Sequence, residues 1–273
     1  MSMTLGLHTL ALVLYAATAA LLGWSLARSA QRAPLVAAGA LAAGVAAHAT
    51  ALGSYWTAFR EPPLVGLAPS LSTLALLIAL GSFLLAAVGR SGPLGLVLVP
   101  VAALLGAIAQ AAGLRPTGPE LAYRGPWFIL HVTLAFVGYA GLTIAFAAGL
   151  MYLLQFRQLK GKRFGAVFRF FPPLDTLDRI GVRALLTGLP ALTAALLLGW
   201  AWSHRFGPAM HAGNPKVVWG VVTWLAFVAS LLARAGNATH ARRAALTTVI
   251  GFAVVVAAYV VLRAAEAAGA GFL

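Results

Sequence analysis

Eight apolar runs, each about 20 residues long, decide what this chain can fold into. They fall at 5–26, 34–53, 69–89, 94–113, 127–155, 184–203, 217–235 and 245–265. Wound as a helix, a run of that length matches the roughly 30 Å hydrocarbon core of a bilayer. Lipid offers no water to backbone N–H and C=O groups. A helix pairs those groups internally, so it is the structure these runs must take. The 273 residues are 62% hydrophobic and 9% charged, more apolar surface than a soluble core can hide. The predicted class is therefore an all-α, polytopic transmembrane helical bundle with about eight spans, forming one membrane domain over 1–273. The first run lacks a basic leader and is long enough to span, so it reads as a retained helix.

The formal charge is +14, yet nucleic acid is not the expected partner. The bases sit in short loops between apolar runs, which is how a membrane protein encodes its orientation. Thirteen of the 19 Lys and Arg residues fall on one side and six on the other. The richer side is assigned to the cytoplasm, which places both termini in the periplasm of a bacterial inner membrane. Seven of the thirteen lie in 156–183, where bases alternate with Phe156, Phe164, Phe168, Phe170 and Phe171. Such a segment is expected to rest at the lipid headgroups.

The chemistry is carried by histidine and tryptophan. There is no cysteine, which excludes disulfides, thiolate metal sites and covalent haem attachment. The five acids, Glu61, Glu120, Asp175, Asp178 and Glu266, all lie outside the spans. Without a carboxylate pair or a nucleotide-binding motif, a binding protein is expected rather than an enzyme. With the spans threaded as above, His8, His48, His131, His204 and His211 fall in or near the outer leaflet, and only His240 falls on the inner side. Trp56, Trp127, Trp200, Trp202, Trp219 and Trp224 join the outer group. Imidazoles and indoles at one depth suit a flat, metal-bearing ligand, and non-covalent haem is the first candidate.

His131 lies one turn after Trp127, about 6 Å inside its span. His48 stands among Ala and Gly and must find its partner on another helix or on a ligand. These two are the favoured iron ligands. His204 and His211 come next, in an outer loop flanked by Trp200, Trp202, Trp219 and Trp224; Trp127, Trp202 and Trp219 are the expected ring contacts. Each histidine also admits a plainer role as a buried polar group bonded to a neighbouring helix. A cytochrome b with two haems would need histidines facing both leaflets, which this chain lacks.

Three stretches then resemble the cytochrome c assembly protein family, especially its small eight-helix HemX-like and YpjD-like members. WFILHVTLAFVGYAGLTIAFAAGLMYLLQ is similar to the family helix that opens with an external histidine, which falls on His131. PPLDTLDRIGVRALLTGLPALTAALLLGWAW is similar to its cytoplasmic Pro-x-Leu-x-x-Leu-Asp segment and the helix that follows, with Gly188, Leu192, Thr193 and Gly199 in place. GNPKVVWGVVTWLAF resembles a further family helix, with Asn214 where aspartate is usual. His48 resembles the transmembrane histidine of larger relatives. The resemblance covers most of the chain, is strongest over 124–255, and implies haem as ligand and other cytochrome c maturation proteins as partners. The external segment HRFGPAMHAGN is shorter than the tryptophan-rich one of those relatives, which implies haem binding or an accessory role rather than delivery. Two other readings stay open: a membrane scaffold or regulator that has lost haem, acting through 156–183, and a small-molecule transporter.

The orientation is directly testable. Alkaline phosphatase fused after residue 210 is expected to be active, and fused near 165 inactive. The reverse pattern would invert the topology.

Overall fold

The computed structural model describes residues 2–28, 33–89, 91–116, 125–162, 165–206, 215–234 and 241–267. His211 and His240 lie outside the described residues. The helices are α1 (Ser2–Arg28), α2 (Ala33–Phe59), α3 (Leu67–Val88), α4 (Gly95–Ala112), α5 (Pro126–Lys160), α6 (Ala166–Phe170), α7 (Leu174–Phe206), α8 (Pro215–Leu232) and α9 (Ala241–Ala267). Among the described residues there is no strand, and seven helices are long and apolar enough to cross a membrane. All eight expected runs are helical. The seventh is realised as α8, whose apolar stretch Val217–Leu232 is shorter than the others. The chain is a polytopic helical membrane protein.

Several boundaries differ from the hydropathy reading, two of them at charged turns. The sixth run, expected from residue 184, begins at Leu174, and the fifth continues to Lys160. Asp175 occupies the first turn of α7, where its charge complements the helix dipole, and it pairs with Arg179 one turn on at 2.5 Å. Asp178 pairs with Arg234. Charged turns of this kind end an apolar window without ending a helix. Much of 156–183, expected as a surface segment, is thus the end of α5, the short α6 and the start of α7. Between α6 and α7, Phe171 is extended at φ −75° and ψ 149°, as a residue before proline must be.

The chain forms two compact units. Unit one comprises Met1–Gly125 with Gln155–Pro173; unit two comprises Pro126–Leu154 with Leu174–Leu273. In unit one the packing closes on itself: α1 on α2, α2 on α3, α3 on α4, and α4 back on α1. Small residues allow it. A Cβ added at Gly44 would lie 2.9 Å from the Tyr15 ring, and one at Gly106 would lie 2.6 Å from Leu12. Ala11, Ala51, Ala75, Ala79 and Ala102 are fully buried in the seams. Lipid tails are as apolar as Leu, so helices associate by close approach and polar contact rather than by escape from water.

Unit two repeats the principle with α5, α7, α8 and α9. Gly138 and Gly141 of α5 lie against Leu192, Gly188 and the Ala184 carbonyl of α7. Gly188 of α7 receives Phe227 of α8, and Gly251 of α9 lies against Ala226 of α8. Gly149 of α5 meets Ala245 of α9, and Phe146 stacks on Phe252 at 4.2 Å. Leu142, Leu185, Leu192 and Phe227 fill the centre.

The α5–α7 seam is the tightest test of this packing. A Cβ at Gly141 would lie 2.9 Å from the Ala184 carbonyl oxygen and 3.1 Å from the Gly188 Cα, both backbone atoms. Gly39 has open space instead. Gly141→Ala is expected to destabilise by about 1–3 kcal/mol through overpacking. Gly39→Ala should be neutral or gain up to about 1 kcal/mol of helix propensity. Thermal unfolding in detergent, followed by circular dichroism, compares the two. Equal midpoints would show that α5 and α7 do not depend on the approach.

Candidate functional site

Two polar sites stand out, one in each unit. In unit one, five side chains from four helices form an unbroken hydrogen-bonded chain. His8 and His48 are both fully buried, their rings edge to face with centroids 4.8 Å apart. The Nε2 atoms of both lie 2.9 Å from the Ser72 hydroxyl. His8 Nδ1 lies 2.8 Å from Gln110 Oε1, and His48 Nδ1 lies 3.1 Å from the Tyr15 hydroxyl.

The direction of this chain can be deduced. Thr9 donates its hydroxyl proton to the Leu5 carbonyl at 2.9 Å, so it accepts from Gln110 Nε2 at 3.1 Å. That turns Gln110 Oε1 toward His8, which must donate from Nδ1. His8 Nε2 then carries a lone pair and accepts from Ser72. The Ser72 oxygen accepts from His48 Nε2–H, and His48 Nδ1 accepts from Tyr15. Both imidazoles are neutral, in opposite tautomers, with every nitrogen satisfied. The partner that His48 needs is thus supplied by α1 and α3, and the histidine beside it is His8.

In unit two, His131 and Trp127 dock the first turns of α5 onto α7. Pro126 opens α5 at a position that needs no backbone N–H, after extended Gly125. The Trp127 indole N–H donates to the Leu198 carbonyl at 3.1 Å. One turn on, His131 Nδ1 lies 2.7 Å from the Ala195 carbonyl oxygen. A carbonyl only accepts, so Nδ1 carries a proton, and in the neutral imidazole Nε2 is then the nitrogen with the lone pair. No described residue hydrogen-bonds that nitrogen. Imidazoles that bind metal through one nitrogen commonly anchor the other in this way.

The remaining expected contacts divide. Trp127 is 43% exposed, and Trp200, which the expected contacts omitted, is 63% exposed. The i, i+4 spacing of Trp200 and His204 was the available signal. Their ring centroids are 4.5 Å apart, and His204 Nδ1 lies 3.0 Å from the Trp200 carbonyl. His204 follows Ala195 by nine residues, about 900° of helix, so it leaves α7 on the side opposite His131. Trp219 packs between Tyr139 at 4.4 Å and Tyr259 at 5.4 Å, and its indole N–H donates to the Val255 carbonyl. Trp224 donates to Thr193 at 2.9 Å. These two indoles serve the core of unit two. Trp202 is half-buried at the same end of α7. Among the described residues no group of three or more His, Asp or Glu side chains could hold a bare metal ion.

The helical architecture and these histidine sites define a polytopic membrane protein with intramembrane imidazoles. The family described as Cytochrome C assembly protein matches residues 5–267, nearly the whole chain. The chain belongs to that family. It is similar to the cytochrome c biogenesis protein CcsA of Synechococcus elongatus, 26% identical over 83% of each chain. The CcsA of Synechocystis is also 26% identical, over 80% of this chain and 82% of its own. The match to CcsA of Chlamydomonas reinhardtii is 28% identical over 59% of this chain and 46% of that protein. The chain therefore spans about half the length of some of the relatives it matches.

The chain of five in unit one makes Ser72 its pivot. Ser72→Ala removes one hydroxyl and orphans two buried imidazoles, each costing about 1–3 kcal/mol. Thr50→Ala is the control, since Thr50 is exposed and bonds only to the Ala46 carbonyl of its own helix. Chemical denaturation in detergent should show a large loss for Ser72→Ala and almost none for Thr50→Ala. Matched midpoints would mean that the two rings find other partners at no cost.

Proposed function

We propose that the chain is a non-catalytic haem-binding protein of the bacterial inner membrane that serves cytochrome c assembly, with His131 as iron ligand. The observation that carries this reading is the His131 imidazole. Its Nδ1–H is pinned to the Ala195 carbonyl, and its Nε2 lone pair has no hydrogen-bond partner among the described residues. The residues fit the group: an iron porphyrin takes one or two axial imidazoles and needs flat apolar surface beside them. Exposed Trp127, one turn before His131 on the same face of α5, supplies such surface at the end of unit two where α5 begins. Haem, when bound, would supply an iron centre. The protein's part is to hold the ligand nitrogen deprotonated and oriented. With no cysteine in the chain, attachment is non-covalent.

His48 fits the role less well. Both of its ring nitrogens are engaged, by Tyr15 and Ser72, and binding iron would break one of those bonds. The names of the similar proteins support a place in cytochrome c biogenesis, with other membrane proteins of that process as partners. The basic asymmetry supports periplasmic termini, which would put the His131 end of unit two at the periplasmic face.

Haem titration of the purified protein tests the reading. Haem added to matched amounts of protein should give a Soret band in the wild type. His131→Ala should weaken binding about ten-fold or more and shift the band. His204→Ala and His240→Ala should leave affinity within a factor of about two. Identical spectra and affinities across the three variants would make His131 a packing residue. A wild type that binds no haem would favour the scaffold reading.

A further inference from the structure

In an α-helix each carbonyl accepts the N–H four residues on, and side chains lean back over the preceding turn. A residue at i+4 therefore covers the carbonyl of residue i from outside. For Ala195 the covering residue is Gly199, which has nothing to cover it with. His131 occupies the space left. A Cβ at position 199 would lie 2.8 Å from His131 Cε1, 3.2 Å from Nδ1 and 3.7 Å from Nε2. The ring stands where a side chain would be, and its Nδ1 reaches the open lone pair of the Ala195 carbonyl at 2.7 Å.

We propose that Gly199 is a positioning residue: by withholding a side chain it opens the Ala195 carbonyl to His131 and so selects the imidazole tautomer that leaves Nε2 unprotonated. A free histidine side chain prefers the opposite tautomer, with the proton on Nε2. The environment must reverse that preference, and the carbonyl does so only while the ring can reach it. An alanine at 199 displaces the ring, and the hydrogen bond from Nδ1–H to the carbonyl breaks first. The neighbouring anchor is separate. Trp127 donates to the Leu198 carbonyl, and its ring is not among the atoms a Cβ at 199 would meet, so the start of α5 stays docked when that position changes. The bearing of Gly199 on haem rests on the iron-ligand role proposed for His131; the tautomer does not depend on it.

The test is nitrogen NMR of protein with ¹⁵N-labelled histidine, free of haem, in detergent micelles. The His131 resonances are identified by their absence in His131→Gln. In the wild type they should report the Nδ1–H tautomer. In Gly199→Ala they should move to the Nε2–H tautomer or to a mixture, while the Trp127 indole resonance keeps its position. Gly199→Ser provides a second variant, because its hydroxyl can itself take the Ala195 carbonyl. A wild type already in the Nε2–H form overturns the inference without any variant. So does an unchanged Nδ1–H tautomer in both substitutions. Haem titration of Gly199→Ala then separates the two ideas. Affinity reduced about ten-fold alongside a changed tautomer supports both. A changed tautomer with unchanged affinity supports the positioning role and removes His131 as iron ligand.

Discussion

A polar group inside a bilayer has no water to fall back on, so every one must find its partner within the protein. Hydroxyls on the spans show the simplest solution. Thr18, Thr50, Thr143 and Thr248 each donate to the carbonyl four residues back on their own helix. His204 turns one ring nitrogen to the carbonyl four residues back in the same way, whereas His8, His48 and His131 reach across to other helices. His8 and His48 satisfy each other through Ser72. His131 is satisfied on one nitrogen by a backbone carbonyl. No described residue hydrogen-bonds its other nitrogen, and that gives unit two its chemical interest.

Such reaching is possible only where helices come close. Glycine and alanine set that distance throughout both units. In unit one the small faces of α2 and α4 admit Tyr15 and Leu12, which brings α1 near enough for His8 to meet Ser72 and Gln110. In unit two Gly138, Gly141 and Gly188 bring α5 against α7, and Gly199 continues that seam up to His131. The packing and the polar contacts are therefore one design. Bulk added to a seam alters which nitrogen meets which oxygen.

The spans were legible because hydropathy reports burial in lipid, and all eight runs proved helical. Helix ends were less so, since the charged turns at Asp175 and Arg179 begin a helix before its apolar stretch, and those at Arg157 and Lys160 continue one after it. His131 could be singled out from its place one turn after Trp127 and from its likeness to a family position. The pairing of His48 with His8 was not. It depends on the register of four helices, and the expected end of the second run at 53 lies six residues short of Phe59. Thr4 bonds Ser54 and Tyr15 meets Gly44, so α1 and α2 run antiparallel in a register that sets residue 8 near residue 48. Trp219 was misleading for a different reason. An indole near a membrane boundary looks the same in sequence whether it faces a ligand or, as here, two tyrosines and a carbonyl.

The fixed direction of the chain from Tyr15 to Gln110 has a bearing on how this sequence can drift. Each member is defined by what it donates and what it accepts, so a replacement at one position dictates which residues are tolerable at the next. Phenylalanine at 15 would strand a lone pair at His48, and glutamate at 110 would withdraw the donor that holds Thr9. The five positions are thus inherited as a set. Related chains are expected to hold the whole combination or to have exchanged it wholesale for an apolar one, with few intermediates between.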